Sequence, residues 1–102
     1  MSLEIILTNA RVVTADAAFG GTVVVRRGRI AELDTERCHA TSALDLEGDY
    51  LGPGLVELHT DNMEKHFAPR PGAKWPSVSA VMAHDTQISA AGITTVFDSL
   101  AL

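Results

Sequence analysis

The chain has 102 residues, of which 46% are hydrophobic, 21% charged and 5% aromatic, and its 13 acidic and 8 basic side chains give a formal net charge of −5. That length holds one small domain or part of a larger fold, and it excludes a complete eight-stranded α/β barrel, which needs roughly 200 residues or more. The negative balance argues against a general nucleic-acid or anionic-membrane binder.

The N-terminal stretch MSLEIILTN has no basic residue ahead of its apolar run, so no signal peptide is predicted. Leu3, Ile5 and Leu7 alternate with polar neighbours, and Arg11 to Ala15 forms a second short β-rich run. Ala17 to Gly21 reads as a small-residue turn. Thr22 to Arg26 is a β-branched strand, and Arg27-Gly28 predicts a hairpin into Arg29 to Leu33, because glycine supplies the positive φ that such turns need. Cys38, the lone cysteine, excludes an internal disulfide and fits a reducing, cytoplasmic setting. It sits with His39 in a polar connection rather than in a metal pair. Leu44 and Leu46 alternate with Asp45 and Glu47 before a turn at Gly48-Asp49. Residues 1–51 therefore read as a β-rich segment of five short strands, a small β-sandwich or open layer with a structural role.

Residues 52–102 change character. Gly52-Pro53-Gly54 forms a corner, and Leu55 to His59 reads as a buried strand broken by Glu57. A polar loop follows with His59, Asp61, Asn62, Glu64, Lys65 and His66. Ala68 to Pro76 contains three prolines and cannot form a regular helix. Ser77 predicts an N-cap for a helix to Ala91, with Val78, Val81, Met82, Asp85 and Ile88 along one stripe and Gly92 as the stop. Asp85, on that stripe, needs a buried partner or faces a site. Ile93 to Phe97 reads as a second buried strand ending at Asp98. Strand, loop, helix and strand make one βαβ unit, and parallel sheets carry functional groups at the C-terminal ends of their strands. His59 and Asp98 lie at those ends.

On an extended chain, residues i and i+2 share a face, so His59 and Asp61 point toward one centre. An imidazole and a carboxylate are usual ligands of a divalent hydrolytic metal, which activates water and polarises a carbonyl or phosphoryl oxygen. Glu57 has the same strand parity. Lys65, His66, Arg70 and Lys74 place four potential cations within ten residues of an otherwise acidic chain. Arg70 is the strongest anion-binding candidate, because a guanidinium grips phosphate oxygens bidentately and prolines on both sides limit its backbone. Trp75 reads as a packing anchor.

Pro53 to Asp61 and Ala90 to Asp98 resemble the amidohydrolase superfamily, whose members carry a Pro-Gly corner into a first barrel strand ending in His-x-His and a later Gly-Ile-Thr-Thr strand. Asp61 stands where the second histidine is usual. That departure, with Asn62, Lys65, Pro69, Arg70, Pro71, Trp75 and Pro76, is similar to the phosphonate-metabolism branch, the PhnM-like diphosphatases. The resemblance implies an α/β fold with a β-rich N-terminal part: a small β-sandwich segment (1–51), then the first βαβ unit (52–102) of a TIM-like barrel left incomplete. It implies a fragment of a metal-dependent cytoplasmic hydrolase that removes pyrophosphate from α-D-ribose 1-methylphosphonate 5-triphosphate. The implied cofactor is a divalent metal ion, zinc or manganese, held by His59 and Asp61. The implied phosphate-binding residues are Arg70, Lys65, Lys74 and His66, with Asn62, Asp85 and Asp98 supporting the ligands through hydrogen bonds. Any general acid or base lies beyond Leu102. The implied partner is the small-molecule ribose triphosphate phosphonate, with no nucleic acid and no membrane. Unpaired strand edges leave room for a homo-oligomer or for pairing with further chain segments. A C–N hydrolase of the same superfamily and a non-catalytic β-rich binding domain are the alternatives, and the fragment alone is expected to be inactive.

Overall fold

The computed structural model describes residues 3–99. The chain divides into two compact units, Met1–Pro53 and Gly54–Leu102.

The first unit holds β1 (Glu4–Val13), β2 (Ala18–Arg26), β3 (Arg29–Asp34), β4 (Leu44–Asp45) and β5 (Tyr50–Leu51). They form a single sheet rather than the two layers of a sandwich: β3, β2, β1 and β4 run in that order, and β5 also pairs with β1. The reason is that β1 is long enough to take β2 along one edge and both β4 and β5, in parallel, along the other. The runs around Leu7 and Arg11 are thus one strand, interrupted only by a register shift between Leu7 and Ala10 where Asn9 adopts φ 53°. Such a bulge kinks a strand without ending it. Ala18 to Gly21, read above as part of a turn, is already in β2. Glycine is needed at position 21, since a Cβ there would collide with the Asp34 carbonyl oxygen of β3. The Arg27-Gly28 hairpin has positive φ at both positions, 53° and 74°, matching the right-handed twist of its strands.

The core of this unit is Ala10, Val12 and Val23, with Phe19, Val25, Leu46 and Leu51 packed against it. Beside it runs a chain of polar groups. The Cys38 amide donates to Thr8 Oγ1 (2.8 Å), and the Thr22 hydroxyl donates to the Glu36 carbonyl (2.7 Å). Because the Thr22 proton is committed, the 2.9 Å contact between the two buried hydroxyls has Thr8 as donor. Every member is satisfied, which lets polar side chains lie within a sheet without a desolvation penalty.

The second unit holds β6 (Leu55–Thr60), α1 (Asn62–Phe67), α2 (Ser77–Ala90) and β7 (Ile93–Asp98). β6 and β7 pair in parallel, with Thr60 opposite Asp98. This is one βαβ unit, without a closed barrel among the described residues. Four details differ from the sequence reading. The polar loop contains a helical turn, α1. Ser77 is the first helical residue and Pro76 the cap, with no side-chain cap bond. The strands are mostly exposed, with Leu55, Val56, Leu58 and Phe97 all open to solvent and only Thr60 buried in β6. A two-stranded sheet has too little area to bury both its faces. Finally, the Val78, Val81 and Met82 stripe of α2 is exposed, whereas Ala80 and His84, four apart, form its buried face. Gly92, at φ 81°, ends the helix in the left-handed conformation.

At the corner, a Cβ on Gly54 would collide with the side chain of Thr94, Cβ included, so glycine is required for the close approach of the two strands. Among the described residues, no helix is long and apolar enough to cross a membrane.

Candidate functional site

His59, Asp61 and Asp98 lie at or just past the C-terminal ends of β6 and β7. His59 is the penultimate residue of β6 and is exposed. Its backbone N–H donates to Glu57 Oε1 (3.2 Å), so Glu57 is tied to its own strand. The His59 ring is held on one side: Nδ1 lies 3.2 Å from Ser99 Oγ, and Nε2 has no partner among the described residues. Ser99 is itself fixed, donating its backbone N–H to the Thr60 carbonyl at 2.7 Å.

Asp61 follows β6 rather than belonging to it. Its backbone, φ −117° and ψ 13°, is no longer extended, so the i, i+2 argument for a shared face with His59 does not apply. It occupies the N-cap of α1, exposed and without a side-chain capping bond, and its carboxylate is available to another partner. Asn62 uses its side chain to accept from Lys65 Nζ (3.0 Å), and its N–H bonds to Thr60 Oγ1 (3.0 Å).

His66, half-buried, donates through Nε2 to Gln87 Oε1 (2.9 Å), which joins α1 to α2. Its ring also lies 5.7 Å from that of His84. Arg70 opens a turn in which Pro71 sits second and Gly72, at φ 76°, third, closed by the Ala73 amide to the Arg70 carbonyl (3.1 Å). Proline then glycine at these positions specifies a type II turn. A cleft of about 440 Å³ is lined by His66, Pro69, Arg70, Trp75 and Ala83. Arg70, Lys74 and Trp75 are exposed around this loop.

Asp85 is exposed on α2 rather than buried on its stripe. The buried ionisable residue of the helix is its neighbour His84, 2% exposed. Its Nε2 lies 2.7 Å from Asp98 Oδ2. The two groups are close but not aligned as a hydrogen bond, and His84 Nδ1 and Asp98 Oδ1 have no other partner among the described residues. Asp98 therefore turns inward to α2, not toward His59. Sequence reading gave His84 no role of its own and did not single out Ser99. The register that sets Asp98 opposite Thr60 is the signal for Ser99, while the i, i+4 pairing of Ala80 with His84 is the signal for His84.

Among the described residues His59 Nε2 and the Asp61 carboxylate have no partner, and both are of the types that bind a divalent metal, so they fit part of a ligand set. Among the described residues no three His, Cys, Asp or Glu side chains gather as a metal-holding group. A catalytic zinc centre uses three protein ligands and keeps one position open.

The chain, a strand-rich segment and a β–α–β unit, shares its fold with part of solved amidohydrolase structures and is related in sequence to hydrolases. In particular it is similar to the alpha-D-ribose 1-methylphosphonate 5-triphosphate diphosphatase of Escherichia coli (strain K12), with 41% identity over 97 residues, 95% of this chain and 26% of that protein. A 5'-deoxyadenosine deaminase of Methanosarcina mazei is 39% identical over 62 residues, 56% of this chain and 14% of that protein. A prolidase solved in complex with N-methylphosphonate-L-proline shares the fold, with a TM-score of 0.65 and 17% identity over 94% of this chain and 26% of that one. An amidohydrolase structure gives 0.62 and 19% over 94% and 25%. The chain thus spans about a quarter or less of the proteins it matches. No protein-family profile matches it.

Proposed function

We propose that this chain supplies the first strand-end ligands and a phosphate-gripping loop of a metal-dependent diphosphatase acting on α-D-ribose 1-methylphosphonate 5-triphosphate. The observation that carries the reading is the 41% identity to the diphosphatase across 95% of the chain. The bound metal would polarise a phosphoryl oxygen and lower the pKa of a water molecule. His59 contributes Nε2 and Asp61 a carboxylate toward that ion. Arg70 presents a guanidinium from a rigid Pro-Arg-Pro turn, the geometry suited to bidentate phosphate contact. Lys74 and Lys65 add point charge nearby, and His66 lines the same cleft as Arg70. Phosphoryl transfer depends mainly on positioning and charge stabilisation, which such a loop provides.

The C–N hydrolase reading draws on the deaminase match, which covers 56% of the chain. Asp61 in place of a second histidine, together with the Pro-Arg-Pro and Trp75-Pro76 loop, weighs against it. The test is to incubate the longer protein containing this segment with a divalent metal and the ribose triphosphate substrate. Pyrophosphate release is the expected outcome. Ring opening of cyclic amides, or release of ammonia from a deoxyadenosine, with no pyrophosphate, would overturn the reading. Arg70→Ala should lower kcat/KM by roughly 100-fold, the loss of a charged hydrogen-bond pair of about 3 kcal/mol.

A further inference from the structure

We infer that the cleft beside Arg70 receives the methylphosphonate end of the substrate and leaves the triphosphate to the strand end that carries His59 and Asp61. The inference rests on the diphosphatase reading and assigns one end of that substrate to one part of the chain. The substrate is charged at both ends, but only one end joins its charge to apolar surface. The methylphosphonate couples an anion to a methyl group, whereas the triphosphate tail presents oxygen on every side. The cleft, about 440 Å³, is lined by His66, Pro69, Arg70, Trp75 and Ala83. Its apolar walls are an indole, a proline ring and a methyl group, and Arg70 and His66 supply polar atoms enough for a single anionic group. Among the described residues, neither Lys65 nor Lys74 lines it. A polyanion gains nothing from an indole and a proline ring, and beside them it loses the water that solvates it. An anion that carries a methyl group gains from the cations and from the apolar walls together.

The place of the cleft agrees with its chemistry. His66 follows Asp61 by five residues, and α1 advances ~1.5 Å per residue, so about 7.5 Å of helix separates the strand end from the cleft wall. That is the scale of a ribose ring with a phosphorus group on each side. The cleft is also held in shape by the chain itself. The Trp75 amide donates to the Phe67 carbonyl (2.8 Å) and closes the neck of the loop. The turn after Arg70 is closed by the Ala73 amide on the Arg70 carbonyl (3.1 Å). On the opposite wall, His66 Nε2 lies 2.9 Å from Gln87 Oε1, which ties α1 to α2. Ala83 immediately precedes His84, the buried residue of that helix. Walls fixed in advance leave little to order when the ligand arrives.

The experiment uses the longer protein containing this segment, with a divalent metal, and reads kcat/KM for pyrophosphate release from three triphosphates. The first is α-D-ribose 1-methylphosphonate 5-triphosphate. The second is its 1-phosphate counterpart, which lacks the methyl group, and the third is D-ribose 5-triphosphate, which lacks the anion at that end. The native protein should favour the first over the third by about 100-fold, the worth of a charged hydrogen-bonded pair. It should favour the first over the second by about fourfold, the worth of one buried methyl group. Arg70→Ala should cut the preference over ribose 5-triphosphate to about tenfold or less. Trp75→Ala should bring the preference over the 1-phosphate close to one, and Trp75→Phe, which keeps an aromatic wall, should retain it. Both side chains are exposed, so these variants spare the fold. If Arg70→Ala slows the first and third substrates by one common factor, Arg70 serves the triphosphate, and the inference falls while the diphosphatase reading stands. A methyl preference unmoved by Trp75→Ala would overturn it equally. Absence of pyrophosphate from all three substrates would overturn the diphosphatase reading itself, and this assignment with it.

Discussion

Asp45 shows how one exposed carboxylate ties a short strand to its neighbours. It accepts from Asn9 Nδ2 (2.8 Å), from the Glu47 amide (2.8 Å) and from Arg37 (2.7 Å). These contacts, the Asn9 amide first, hold its carboxyl below the ordinary value near 4. A carboxyl whose pKa is lower folded than unfolded adds stability above the unfolded value, and that increment disappears as pH falls through the folded value. The native chain should therefore lose more stability than Asp45→Asn between about pH 5 and pH 3, as read by urea denaturation at each pH. Equal losses would remove Asp45 from the acid response. Gly54 is a steric case. Gly54→Ala drives a methyl into Thr94, and overpacking of this kind destabilises by about 1–3 kcal/mol. Thr94→Ala clears two of the three clashing atoms, so the double variant should recover part of the loss in a double-mutant cycle. The sequence reading saw this glycine only as part of a corner. Its real constraint is a strand partner 40 residues away, which no local pattern reveals.

At the scale of elements, local chemistry was a good guide wherever the backbone itself carried the information. Arg27-Gly28 and Gly92 were read as turn and helix stop, and both have the positive φ predicted for them. Arginine is a poor choice at φ 53°, a region asparagine tolerates better. Arg27→Asn should accordingly stabilise the first unit by roughly 0.5 kcal/mol in denaturant titration, and Gly28→Ala should destabilise it by about 1 kcal/mol. Helix α2 is the counter-example. Its span was legible, but its buried face was not. The apolar stripe of Val78, Val81 and Met82 has the right period and faces outward. A period shows which residues share a face, whereas burial depends on what lies opposite. Small Ala80 lets the helix approach its neighbours closely, and His84 reaches inward to Asp98.

For the whole molecule, the ligand count sets what the chain can do alone. Among the described residues, two donors at one strand end fall short of the three or four that close a zinc site. Zinc should therefore bind the chain far more weakly than the roughly 10 kcal/mol or more of complete structural sites, and His59→Ala should abolish the heat of binding in calorimetry. The same shortage predicts no pyrophosphate release from the 102-residue chain by itself. Measurable turnover by the purified chain would contradict that. By itself the sequence determined the β-rich first half, the β–α–β second half, the tight turns and the resemblance to the diphosphatases, because glycine conformation, strand and helix periodicity and a long fixed motif are all local properties. Only the tertiary structure decided that the first half is one sheet, that Asp61 has left the strand, that His84 rather than Asp85 is buried, and that Ser99 meets His59. Each depends on pairing between residues far apart in the chain, where distance and exclusion of water, not neighbouring sequence, set the energy.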